Sequence, residues 1–227
     1  AYTATVMGLA SEIVMIDINE EKALGEALDI RQGIPFCNPA TVHAGSYQDA
    51  VDSDIVIITS GLPRKPGQTR LDLAQANVNI MKSIATEIVK YAPKATYVIV
   101  SNPVDILTYV FCKTTGIPEK RVIGSGTILD TSRLRARIAE YYSVNQKNVH
   151  AYILGEHGDT AFVPWSIANI SNVPVEDYRN AVMKSDMYPE FNRDEVEDYV
   201  RKSGGRVIQR KGATFYAVSV SVCHLCK

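Results

Sequence analysis

Three side chains in the second half of this 227-residue chain have the types and spacing of an acid–base site. Asp130 and Arg133 stand three apart on one predicted helix, so they share a face. They could pair as a surface salt bridge, worth little, or point together into one pocket. Arg135 falls nearly on the opposite face and must serve another surface, either solvent or a second ligand. His157 sits in the run Gly155-Glu156-His157-Gly158-Asp159. A glycine-bracketed turn exposes the imidazole and lets backbone approach a ligand closely. With a carboxylate elsewhere to orient it, such a histidine is a candidate general acid or base.

Two features of the first half suit ligand binding. Asp17 ends an apolar run, Ile13–Ile16, and precedes a helix-forming stretch. A carboxylate there can accept hydrogen bonds from the ribose hydroxyls of a dinucleotide, or it can support the start of the helix. The segment Leu62–Arg70 (LPRKPGQTR) carries two prolines, a glycine and three cations. It reads either as a mobile lid whose Arg64 and Arg70 close onto an anion, or as a solvated basic loop.

The elements that must position these residues alternate along the chain. Glu20–Arg31 reads as a helix with Asn19 as its N-cap. Asp54–Thr59 and Thr96–Val100 read as buried strands. In Leu71–Tyr91 the apolar residues Ala74, Val78, Met81, Ala85 and Ile88 recur at spacings of four and three, predicting a helix that stops before Pro93. Pro103–Thr115 reads as another helix. Apolar strands each followed by a helix predict an α/β fold with a parallel sheet covered on both faces. Beyond a domain break near Val122–Thr127, helices are expected over Thr127–Tyr142 and Arg193–Arg210 and a strand over Val149–Ile153. Gly212–Val222 reads equally as helix or strand.

Composition narrows the classes. With 46% hydrophobic and 22% charged residues, the chain can bury a core and is not disordered. Its 24 Lys and Arg against 25 Asp and Glu give no bulk charge to drive binding to nucleic acid or acidic membranes. No apolar run approaches the roughly 20 residues of a membrane span. Four cysteines do not make a disulfide scaffold, and Cys223–Cys226 reads as core packing more than as a redox motif. A cytoplasmic setting is therefore expected, and no metal site is.

Six ordered runs carry a resemblance: IDIN at Ile16–Asn19, KPGQTRLDL at Lys65–Leu73, SNPVD at Ser101–Asp105, GSGTILDTSR at Gly124–Arg133, GEHGDT at Gly155–Thr160 and KGATFYA at Lys211–Ala217. Together they resemble the L-lactate/L-malate dehydrogenase family. The resemblance implies a Rossmann-type doubly wound parallel sheet binding NAD over residues 1–124, and a second, mixed α+β catalytic domain over 125–227. It also implies reversible hydride transfer between NADH and a small 2-keto acid, and a homotetramer. The family's first strand and glycine-rich phosphate loop would precede Ala1, and its chain would continue past Lys227. Both domains are thus expected to be incomplete, leaving Phe215–Val222 exposed. An inactive fragment or interaction module of the same fold is the rival reading.

Carried over residue by residue, the resemblance makes His157 the proton donor to the keto oxygen, with Asp130 orienting it and favouring its charged form. Arg133 would grip the substrate carboxylate as a bidentate pair. Arg70 would polarise the ketone, Asn102 would hydrogen-bond the substrate, and Thr214 would border its pocket. Asp17, Lys22, Tyr47, Gly61, Leu62, Ser83, Val100, Ser101, Asn102 and Ser125 match cofactor-contact positions. Arg64 stands where the family discriminates substrates, and an arginine there suits the second carboxylate of oxaloacetate. GEHGDT, Val163–Ser166 and Thr214 resemble the lactate branch. So do Arg135 and His150, at positions that bind fructose 1,6-bisphosphate in bacterial members. Lactate is therefore the expected product, with malate the alternative.

Overall fold

A computed structural model describes residues 1–62, 70–182 and 190–227. The chain divides into two compact units, Ala1–Ser125 with Val222–Lys227, and Gly126–Ser221.

The first unit opens with α1 (Tyr2–Val6), β1 (Glu12–Met15), α2 (Glu20–Gly33) and β2 (Thr41–Ala44). Asn19 caps α2, its side chain accepting the Lys22 N–H at 3.0 Å. Strands β1 and β2 pair in parallel, and α2 buries Ala23, Ala27 and Ile30. His43 of β2 reaches Glu12 of β1, Nε2 to Oε1, at 3.0 Å.

A second parallel sheet contains β3 (Ile55–Ile58), β4 (Thr96–Ile99) and β5 (Val122–Gly124), linked by α3 (Arg70–Tyr91) and α4 (Val104–Thr115). The heptad-like spacing of α3 holds, since Met81, Ala85 and Ile88 are all buried. They pack with Leu107 and Phe111 of α4 and with Tyr97 and Ile99 of β4. Each of the larger side chains contributes about 2 kcal/mol of apolar burial.

Among the described residues no strand bridges β1–β2 to β3–β4–β5. Ile55 and Ile57, alternate residues on one face of β3, remain 39% and 41% exposed. Three consecutive buried residues, Tyr97, Val98 and Ile99, occur in β4, which has a strand on each side.

The second unit is built on α5 (Ile128–Tyr142) and α7 (Arg193–Lys211). Between them lie the antiparallel strands β6 (Val149–His150), β7 (Asn169–Ile170) and β8 (Val173–Pro174), then the short α6 (Tyr178–Val182). Leu134, Ile138 and Tyr142 form the buried stripe of α5 and meet Val196 and Val200 of α7. The two helices run antiparallel. Arg137 bonds Glu195 and lies 4.5 Å over the Tyr199 ring, whereas Arg133, one turn earlier on α5, faces Gly204 further along α7.

Two expectations change here. The strand predicted over Val149–Ile153 ends at His150, although Ala151 and Ile153 are still buried. Gly212–Val222, open between helix and strand, contains the start of α8 (Tyr216–Leu225). Gly212 closes α7 with φ +84°, a conformation other residues rarely adopt. Phe215, Tyr216 and Val220 are more than half exposed.

Candidate active site

The second unit brings three of the candidate residues into one hydrogen-bonded cluster. Asp130 lies in the first turn of α5, at the head of the Leu134–Ile138–Tyr142 stripe. Its Oδ1 accepts from Arg133 Nη1 at 2.9 Å, and its Oδ2 meets His157 Nδ1 at 2.6 Å. Because a carboxylate only accepts, Nδ1 carries a proton. The side chains are 14%, 19% and 30% exposed for Asp130, Arg133 and His157. Burial pushes the Asp130 carboxyl up, but the hydrogen bond and charge of His157, with the Arg133 guanidinium, hold it below the usual carboxylate range.

The loop carrying His157 is pinned from both sides. Leu154 and Phe162 exchange backbone hydrogen bonds at 3.0 Å, closing the loop between them. Gly155 turns into it with φ +93°, and Thr160 Oγ1 donates to Glu156 at 2.8 Å. Thr127, the N-cap of α5, and Thr131, one turn later, grip a single residue. Thr127 Oγ1 donates to the Ile153 carbonyl at 2.6 Å, and the Ile153 N–H donates to Thr131 Oγ1 at 2.9 Å. Both peptide groups of Ile153 are thus tied to the helix that bears Asp130. Neither threonine is among the residues that the sequence alone marks for a role. Their spacing of four, ahead of an apolar stripe, was the available signal.

In the first unit the other candidates lie at the carboxyl ends of parallel strands, where α/β sheets bind ligands. Asp17 and Lys22 follow β1, Tyr47 follows β2, Gly61 and Leu62 follow β3, Val100, Ser101 and Asn102 follow β4, and Ser125 follows β5. Asn77 of α3, only 3% exposed, organises this rim. Its Oδ1 accepts from Leu62 N at 2.8 Å, and its Nδ2 donates to Leu62 O at 3.3 Å and Asn102 O at 2.8 Å. Ser101 Oγ donates to Ser60 O at 2.6 Å, and Ser125 N to Ile99 O at 2.8 Å. The ends of β3, β4 and β5 are thereby held together, leaving Gly61, Leu62 and Asn102 exposed. A rim of exposed chain ends and bare glycine backbone fits a dinucleotide. A buried asparagine inside a helical apolar face was the signal that sequence reasoning passed over.

Residue positions from each half match known proteins in order. Residues 1–124 match the NAD binding domain of lactate/malate dehydrogenase, and residues 127–227 match its alpha/beta C-terminal domain. The chain belongs to the lactate/malate dehydrogenase family. It is 49% identical over 216 residues to L-lactate dehydrogenase 1 of Clostridium acetobutylicum, covering 95% of this chain and 68% of that protein. It is 46% identical over 222 residues to L-lactate dehydrogenase of Acetivibrio thermocellus, covering 98% of this chain and 69% of that one. Among solved structures, the minor L-lactate dehydrogenase of Enterococcus mundtii in its ligands-bound form superposes with TM-score 0.91 at 38% identity. That match covers 100% of this chain and 71% of the other. The fold of this family member is thus a Rossmann-like parallel sheet followed by an α/β C-terminal domain, and its cofactor is NAD.

The remaining candidates stand apart from the cluster. Asp17 is exposed, and its Oδ1 accepts the Asn19 N–H at 2.9 Å, so it does support the entry to α2. Tyr47 is half-buried, and burial, with Glu87 nearby, raises its hydroxyl pKa. Ser83 lies on the exposed face of α3. Thr214 is half-buried in the connection between α7 and α8. Arg135 donates to the Gln146 carbonyl at 3.3 Å, and His150 is exposed on β6. Arg64 and the side chain of Arg70 lie outside the described residues. Among the described residues there is no group of three or more metal-ligating side chains, and no helix long and apolar enough to cross a membrane.

Proposed function

We propose that this chain carries the L-lactate dehydrogenase reaction, the reversible reduction of pyruvate to L-lactate with NADH. One observation supports it above others: a single partly buried carboxylate, Asp130, bonds both His157 and Arg133. An arginine suited to an anionic substrate and an imidazole suited to proton transfer therefore belong to one cluster. NADH, when bound, supplies the hydride. The chain's own residues do the rest.

Arg133 receives the substrate carboxylate through a guanidinium whose orientation Asp130 constrains. With His157 Nδ1 committed to Asp130, Nε2 is the nitrogen that delivers a proton to the keto oxygen. The Asp130 charge favours the protonated ring before transfer and holds one tautomer after it. Arg70 takes the role of polarising the ketone, Asn102 bonds the substrate and Thr214 borders it. The rim at Asp17, Lys22, Tyr47, Gly61, Leu62, Ser83, Val100, Ser101 and Ser125 receives the dinucleotide.

Arg64 alone favours malate, while the relatives named above are lactate dehydrogenases. Steady-state kcat/KM for pyruvate against oxaloacetate decides between them. A large preference for oxaloacetate overturns the lactate assignment. NADH titration followed by fluorescence separates the enzyme from an inactive fragment, which would give no saturable binding. We extend the reading to a cytoplasmic homotetramer activated by fructose 1,6-bisphosphate at Arg135 and His150. Loss of that activation in Arg135→Gln is the expected result, and retention refutes the assignment.

A further inference from the structure

His43 stands near the carboxyl end of β2, and the short turn Tyr47–Ala50 lies just beyond it. Its neighbours Val42 and Ala44 pack with Ala27 and Ile30 of α2. Because side chains alternate along a strand, His43 points to the other face of the β1–β2 pair. There both of its ring nitrogens are engaged. Nε2 lies 3.0 Å from Glu12 Oε1, and Nδ1 lies 3.2 Å from the Ala44 carbonyl oxygen. A carboxylate and a carbonyl only accept, so the two hydrogen bonds exist together only when each nitrogen carries a proton. A neutral ring has one N–H and must release one partner. The side chain is 33% exposed, so water can deliver and remove that proton.

The Ala44 carbonyl belongs to the peptide that leads into the turn. The N–H of the same peptide, on Gly45, donates to Met15 O at 3.0 Å and ties it to the end of β1. A Cβ at Gly45 would lie 2.9 Å from both Asp49 Oδ2 and Val14 Cγ1, so the turn folds closely onto β1. Asp49 Oδ2 completes the frame, accepting from Ser46 N at 2.7 Å and Ser46 Oγ at 2.9 Å. Tyr47 lies inside this frame. The charged groups acting on the imidazole are Glu12 from β1 and Asp49 from the turn, and both favour its charged form. Helix α2 meets the opposite face of β2 through apolar side chains, and Glu87 of α3 acts on Tyr47. The hydrogen bond to Glu12, opposed by burial and reinforced by the one to Ala44, raises the His43 pKa above 6.5.

We propose that His43 is a positioning residue for the cofactor rim: its doubly protonated ring clamps Glu12 and the Ala44 carbonyl, fixes the turn that carries Tyr47, and so couples NADH affinity to the uptake of one proton. The proposal rests on the assignment of Tyr47 to the dinucleotide site. His43 acts through the Ala44–Gly45 peptide rather than by contact with the cofactor.

NADH binding followed by fluorescence across about pH 5–9 tests this. In the parent, Kd should rise about fivefold as pH passes through the His43 value above 6.5. His43→Gln should show the weaker Kd throughout, without that step. A titration of His157 would persist in both proteins and is thereby separated. Glu12→Gln should keep the step but move it to lower pH, because it removes the charge that favours the imidazolium. Linkage is reciprocal, so saturating NADH should raise the His43 pKa read from its ring-proton resonance. In turnover, the loss in His43→Gln should fall on KM for NADH rather than on kcat. Should the parent give no saturable NADH binding at any pH, the proposed function fails. Should the parent bind NADH while His43→Gln keeps its pH profile, or Glu12→Gln leaves the midpoint in place, only the inference about His43 fails.

Discussion

The two units hold their candidate residues in opposite ways. In the second, the candidate side chains hold one another: Asp130 is at once the partner of His157 and of Arg133. In the first, the exposed candidates Leu62 and Asn102 at two strand ends are held by a residue that is no candidate itself, the buried Asn77. A catalytic cluster must fix charges within hydrogen-bond reach, so its members become each other's scaffold. A dinucleotide rim must leave backbone and short side chains accessible, so its rigidity has to come from behind.

The largest effects should come from breaking the mutual cluster. His157→Asn should lower kcat by roughly 10²–10⁴, the range for losing a positioned general acid. Asp130→Asn should lower it by a comparable factor, and the double variant should be little worse than either, because the two act as one unit. Additive losses, read from pyruvate reduction under single-turnover conditions, would mean that the 2.6 Å contact is incidental.

Next in size is the rim. Asn77→Ala removes the partner of three part-buried backbone groups and should cost about 1–3 kcal/mol in urea unfolding. It should also weaken NADH binding while leaving Arg133 and His157 untouched. An unchanged NADH Kd would break the comparison at that end.

Smaller again are the threonine staples. Thr127→Val and Thr131→Val should each cost about 1 kcal/mol. They should also lower kcat, because the loop bearing His157 is tied to α5 through Ile153. A stability loss without any change in kcat would show that the staple serves only the fold.

Two pH effects complete the series. Asp130 is held below its ordinary value, so its stabilising contribution is complete above the usual carboxylate range near pH 4 and lost as pH falls through the lowered value. Asp130→Asn should flatten that acid-side slope. His43 lies outside both sites, and its hydrogen bond to Glu12 raises it above 6.5. Its contribution is therefore complete below pH 6.5 and lost as pH rises through the higher folded value. The pair is surface-exposed, so His43→Gln should change the unfolding free energy by less than about 1 kcal/mol across that range.

The legibility of each part follows its range in sequence. Helix α3 was readable because its buried residues recur at spacings of three and four, and the Asn19 cap because capping is settled within one turn. Asp130 and Arg133 were readable as neighbours for the same local reason, though not as partners rather than a surface pair. The exposure of Ile55 and Ile57 was not readable, because an all-apolar strand looks alike with one face covered or two. Asn77 was missed because its partners, Leu62 and Asn102, are fifteen and twenty-five residues away.

By itself the chain determined which residue types stand one helical turn apart, where helices begin and end, and that a histidine sits in a glycine-bracketed turn. These depend on covalent geometry and on side-chain contacts a few residues long. Only the tertiary structure decided that His157 meets Asp130 across twenty-seven residues, that one asparagine ties two strand ends together, and that α7 brings Gly204 against Arg133. Those outcomes depend on how α5, α7 and the strands pack, and packing is set by volumes summed over the whole core.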